Sequence, residues 1–103
     1  MNIEYLEYFY KVALAGSISR VAKDANISQS ALSQQISKLE ETLGCKLLER
    51  SNKGVELTDK GMIVLKYADI IVRTYNSMLE ELKAVEENNR KIKIKTYCSI
   101  TTY

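Results

Sequence analysis

Between Ile18 and Leu43 the chain carries two helical apolar periodicities separated only by the short break Asn26-Ile27-Ser28. Few arrangements satisfy both. Ile18, Val21, Ala22 and Ala25 recur at intervals of three or four, as the buried side of a helix requires, and Ser17 is placed to cap its start. Leu32, Ile36, Leu39 and Leu43 form a second stripe, with Ser28 as its natural N-cap. The pattern is two short helices joined by a tight turn.

Opposite the second stripe stand Gln29, Ser30, Ser33, Gln34 and Ser37. A face that meets only water normally carries Lys and Glu, which are better helix formers than serine. Ser and Gln side chains both donate and accept hydrogen bonds, so they can read base edges in a major groove wide enough to admit a helix. This points to a helix-turn-helix with Gln29–Leu43 as recognition helix. The competing reading is a plain three-helix core with a solvated serine face.

The flanking residues extend the pattern. Ile3, Leu6, Phe9, Tyr10 and Ala13 have helical spacing, with Phe9 the expected central aromatic, and Gly16-Ser17 provides a helix stop and start. Tyr5 and Tyr8 are expected at the core edge. After Gly44, the runs Lys46–Arg50 and Val55–Leu57 are compatible with strands, joined by the turn-forming Ser51-Asn52-Lys53-Gly54. That hairpin can act as a wing, with Arg50 and Lys53 laid against phosphates or into a minor groove.

Thr58-Asp59 opens a further helix, which meets no breaker before Asn88-Asn89. It should run about 30 residues and roughly 45 Å, more than so small a body can cover. Leu65, Ala68, Val72, Tyr75, Leu79 and Leu82 alternate at intervals of three and four, the seam of a coiled coil, and Val64, Ile71, Met78 and Val85 widen that face. A homodimer is the economical expectation. From Arg90 to Tyr103 the period changes to the alternation of Ile92 and Ile94 with Lys91, Lys93 and Lys95, a strand without a partner or a loose tail.

Composition narrows the chemistry. There is no histidine among the 103 residues, which removes the commonest general base and the commonest metal ligand. No phosphate loop, nucleophile elbow or cysteine cluster replaces it, so no catalytic residue, metal or cofactor is expected. Cys45 and Cys98 stand far apart and read as unpaired thiols. No apolar run reaches the roughly 18 residues of a membrane span, and the first residues do not open a signal peptide, so the cytoplasm is the expected location. A net charge of +2 means that any basic surface must be local.

These residues together resemble the DNA-binding end of a LysR-type transcriptional regulator. The likeness is carried by Tyr8-Phe9, Gly16-Ser17-Ile18, Arg20-Val21-Ala22, Ile27 through Ile36, Leu39-Glu40, Leu43-Gly44, Leu47-Leu48-Glu49-Arg50 and Leu57-Thr58-Asp59-Lys60-Gly61. Ser30 stands where that family usually has proline, and Leu48 where it usually has phenylalanine. The resemblance implies a mainly α fold, a winged helix-turn-helix with a two-stranded wing and a long C-terminal dimerisation helix. Residues 1–58 would form the DNA-binding domain and 59–89 the linker helix, while 90–103 would begin an effector-binding domain or form a tail. It further implies a homodimer on an inverted-repeat promoter site, with a small-molecule inducer only in a full-length form.

On this reading Gln29, Ser30, Ser33 and Gln34 contact base edges, and Ser17, Arg20, Ser28, Lys38, Arg50 and Lys53 position the DNA backbone. Three alternatives come from other directions. A winged helix can serve purely as a protein dimerisation module, but that would need neither the polar face nor the wing cations. An enzyme lacks a candidate constellation. A molybdate-sensing regulator would share the architecture and differ in its later sequence.

Overall fold

Side-chain caps start the helices, and residues in the left-handed region stop the first three. The computed structural model describes residues 2–88, with α1 at Ile3–Ala15, α2 at Ile18–Ala25, α3 at Gln29–Leu43, β1 at Leu48–Ser51, β2 at Gly54–Leu57 and α4 at Asp59–Asn88. This is the mainly α, winged helix-turn-helix arrangement expected from the sequence. Asn2 accepts a hydrogen bond from the Glu4 N–H at 2.9 Å, Ser17 from Arg20 at 3.2 Å, Ser28 from Ala31 at 3.0 Å and Thr58 from Gly61 at 2.9 Å. Each cap satisfies a donor that has no partner inside its own helix.

Gly16, Asn26 and Gly44 end α1, α2 and α3 with φ of 70°, 61° and 73°. Asn26 is the position of interest, because it turns the corner of the helix-turn-helix with a side chain in a region that L residues disfavour. Its N–H bonds back to the Ala22 and Lys23 carbonyls. Alanine there is expected to lower unfolding free energy by about 1 kcal/mol, whereas glycine should match or exceed the native residue. Urea denaturation of the two variants checks this, and equal stability of the alanine variant would contradict it.

The core gathers one face of every element in the first unit. Leu6, Phe9 and Val12 of α1 meet Ile18, Val21 and Ala22 of α2, Leu32, Ile36 and Leu39 of α3, then Leu47, Leu48 and Ala68. Burying a Leu or Phe of this kind contributes about 1.5–3 kcal/mol relative to leaving it exposed. Phe9 is central and fully buried. Two expectations need correction. Val12, not Ala13, completes the buried stripe of α1, since intervals of three from Leu6 through Phe9 track the core side. Leu43 is 40% exposed, because the last turn of α3 extends past the contacts made by Leu39.

β1 and β2 pair antiparallel with Leu48 opposite Leu57, Glu49 opposite Glu56, Arg50 opposite Val55 and Ser51 opposite Gly54. The first strand therefore starts later than Lys46. The Lys46 carbonyl instead accepts the Thr58 hydroxyl at 2.7 Å, and the Leu47 carbonyl accepts the Thr58 N–H at 3.0 Å, so both are committed to the start of α4. Side chains alternate along a strand, which puts Arg50 on the face of Leu48 and sends Glu49 to the other. The far end of the hairpin is also anchored, by the Val55 N–H on the Gly16 carbonyl at 3.2 Å.

The chain divides into two units, Met1–Val72 and Arg73–Tyr103. The packing boundary thus lies beyond the helix start near residue 58. Within the first unit, Gly61, Ala68 and Val72 are buried and Val64 and Leu65 are half-buried, while the Tyr10 hydroxyl donates to Asp69 Oδ1 at 2.7 Å. Met62, Ile63, Tyr67, Ile70 and Ile71 of this unit remain exposed. In the second unit, Tyr75 and Val85 are half-buried and Met78, Leu79 and Leu82 exposed. The strand or tail expected over 90–103, and Cys98 with it, lie outside the described residues; Cys45 is a half-buried free thiol.

Candidate nucleic-acid interface

α3 presents two unlike sides because its apolar stripe is fully committed to the core. Leu32, Ile36 and Leu39 are buried, which turns Ser30, Gln34, Ser37 and Lys38 outward as exposed residues, with Ser33 half-buried beside them. The face is made of hydroxyls and amides over its first turns. The first carboxylates of α3 are Glu40 and Glu41, near its C-terminal end, so contact with an anionic partner is favoured at the N-terminal half of the helix.

The N-termini of α2 and α3 and the wing meet around one cleft of about 250 Å³, lined by Ser17, Ile18, Ser19, Gln29, Ser33, Arg50, Ser51, Gly54 and Val55. Its lining contains a guanidinium and four hydroxyls and no carboxylate. Four sequence-selected residues, Ser17, Gln29, Ser33 and Arg50, are therefore brought to one place. Ser28 is exposed beside them, and its oxygen accepts from Ala31, leaving its proton to donate. Ser17 already caps α2 and lies 3.1 Å from the Ser19 hydroxyl. Donors at the starts of two helices suit a phosphate oxygen.

The remaining selected residues are spread around this centre. Lys53 occupies the exposed turn of the hairpin, where its N–H is held by the Ser51 hydroxyl at 3.2 Å. Lys38 is exposed further along α3. Arg20 lines a separate groove with Lys11, Leu14, Val21 and Asp24, away from the lining of the cleft. Ser19 and Ser51 belong to the cleft and were not singled out by the sequence. The signal available was slight: Ser19 lies within the first turn of α2, next to a capping serine.

Outside the interface, the seam selected from the sequence is split. Ala68 and Val72 are buried within the chain's own fold and Leu65 is packed against the same core, whereas Leu79 and Leu82 are open. No described helix is long and apolar enough to cross a membrane.

Comparison with known proteins places this geometry among regulators. The family model described as "bacterial regulatory helix-turn-helix protein, lysR family" matches residues 3–62. The HTH-type transcriptional regulator BudR of Raoultella terrigena is 42% identical over 85 residues, covering 82% of this chain and 29% of that protein. The nitrogen assimilation regulatory protein nac of Escherichia coli (strain K12) is 42% identical over 73 residues, covering 71% of this chain and 24% of that protein. The chain thus spans under a third of either relative. Among solved structures, the BenM DBD in complex with catB site 1 DNA superposes with a TM-score of 0.78 at 34% identity, covering 84% of this chain and 96% of that one. The CbnR DBD–DNA complex gives 0.75 at 36% identity, covering 84% and 99%.

Proposed function

This chain belongs to the LysR family of bacterial regulatory helix-turn-helix proteins, and from that premise we propose that it is a transcriptional regulator that binds a double-stranded, inverted-repeat promoter site. The observation that carries the reading is the carboxylate-free cleft joining Ser17, Gln29, Ser33 and Arg50 beside the exposed Ser30 and Gln34. Gln29, Ser30, Ser33 and Gln34 are assigned to base edges. Ser17, Ser28, Lys38, Arg50 and Lys53 are assigned to the DNA backbone, and Arg20, in its separate groove, to a more peripheral phosphate. Residues 1–58 act as the DNA-binding domain, and 59–89 serve as the linker and dimerisation helix.

An inverted repeat asks for two copies. Leu65, Ala68 and Val72 are already used by the chain's own packing, so the second copy is assigned to exposed apolar residues of α4. In the first unit these are Met62, Ile63, Tyr67, Ile70 and Ile71; in the second, Met78, Leu79 and Leu82. A cytoplasmic location and, in a longer form of the protein, control by a small molecule complete the reading, which needs no catalytic step and no cofactor.

The test is a titration of this chain against an inverted-repeat duplex, a single half-site and a scrambled duplex at two salt concentrations. The inverted repeat should bind about tenfold or more tightly than the scramble, with part of that margin surviving at higher salt. The half-site should bind more weakly than the repeat. Equal binding of all three duplexes, lost together as salt rises, would remove base readout from the proposal. Failure to bind any of them at low salt would instead favour the protein dimerisation module.

A further inference from the structure

Beyond the apolar packing of Leu47 and Leu48 on the core, the root of the wing is hydrogen-bonded to the recognition helix by one side chain. Glu40 Oε2 accepts the backbone N–H of Leu47 at 2.8 Å and of Leu48 at 3.2 Å, and among the described residues no other side chain of α3 hydrogen-bonds to the hairpin or its root. Leu47 immediately precedes β1, and Leu48 is its first residue, paired with Leu57. A single carboxylate oxygen thus brackets the two amides from which the wing departs. Such charge-assisted bonds are about twice as strong as neutral ones.

Arg50 lies two residues further along β1, on the same face as Leu48. It lines a groove with Ile36, Ser37, Glu40, Lys46 and Leu48, and it also lines the cleft that contains Gln29 and Ser33. Arg50 therefore borders both the groove that holds Glu40 and the cleft at the start of the recognition helix. The other hydrogen bonds of the hairpin go elsewhere, through Val55 to the α1–α2 corner and through Thr58 at the start of α4. Neither of these runs to α3.

We propose that Glu40 is a positioning residue for DNA binding: its carboxylate sets the position of β1 against α3 and so delivers Arg50 to the duplex beside the base-reading face. This rests on the assignment of Arg50 to the DNA backbone. Glu40 is not itself a DNA contact. Its negative charge would oppose a phosphate, so its value to binding comes through geometry.

Two substitutions separate geometry from charge. Glu40→Gln keeps an oxygen acceptor at the same reach and loses the charge, whereas Glu40→Asp keeps the charge and withdraws the oxygen by one methylene. Duplex affinity should be kept or tightened in Glu40→Gln and weakened about tenfold in Glu40→Asp. A charge effect alone would leave Glu40→Asp close to the native chain and tighten only Glu40→Gln, which overturns the proposal.

A double-mutant cycle then tests the link to Arg50. Arg50→Ala should weaken binding about tenfold in the native background and less than about threefold in the Glu40→Asp background. Thermal melts fix a temperature at which every variant is folded, so a general loss of stability does not enter the comparison. If Arg50→Ala costs the same factor in both backgrounds, Glu40 serves stability alone and the proposal falls while the DNA reading stands. If Arg50→Ala costs nothing in the native background, both the role of Arg50 and the proposal fail.

Discussion

Gly61→Ala is expected to destabilise this chain by about 3 kcal/mol, which for a domain of this size lowers Tm by roughly 12–24 °C. Helix propensity alone predicts the opposite sign, since alanine in a helix interior is favoured over glycine by about 1 kcal/mol. Position 61 reverses it because a Cβ there would overlap the Leu47 carbonyl oxygen and come within 3.0 Å of the Leu47 carbonyl carbon and 3.1 Å of Leu57 Cδ2. The obstacle is backbone, and it cannot step aside cheaply. The Leu47 carbonyl is held by the Thr58 N–H and its amide by Glu40, while Thr58 also bonds to the Lys46 carbonyl. Relief would require pulling α4 off the root of the wing. Thermal and denaturant unfolding of the variant measure the effect, and a Tm equal to or above that of the native chain would show that the close approach is absent.

The contrast between propensity and packing at Gly61 also marks what could be read in advance. Helix positions were legible because local chemistry announces them: Ser17, Ser28 and Thr58 cap, Gly16 and Gly44 stop, and the intervals between Leu32, Ile36 and Leu39 admit one buried side. The polar face of α3 followed as the remainder. Contacts between distant residues were not legible. Nothing local says that Glu40 reaches the amides of Leu47 and Leu48, or that Lys46 and Leu47 turn their carbonyls to Thr58 instead of continuing β1. The same limit explains the seam. Heptad spacing shows that Leu65, Ala68 and Val72 share a face with Leu79 and Leu82, but it is blind to whether that face meets the chain's own core or a second copy.

Separation of base reading from backbone anchoring gives the second large effect. Gln34 is exposed on the outer side of α3, in the part of a recognition helix that reaches base edges. Its amide can donate and accept at once, so it can distinguish one base pair from another by hydrogen-bond pattern. Gln34→Ala should therefore cost about 1–3 kcal/mol on the cognate inverted repeat and relax the preference at one position in each half-site, with little change on scrambled DNA. Lys53 sits on the wing turn, where its ammonium can meet any phosphate. Lys53→Ala should weaken cognate and scrambled duplexes by the same factor and reduce the slope of log affinity against log salt by about 1. The two losses differ in kind even where they agree in size on one duplex. A panel of single-base operator variants, each titrated at two salt concentrations, resolves them. Parallel losses across the whole panel for both variants would mean that Gln34 anchors as Lys53 does, and the reading face would then have to be sought among Gln29, Ser30 and Ser33. A sequence-dependent loss for Gln34→Ala alone would make α3 the reader and the wing the anchor.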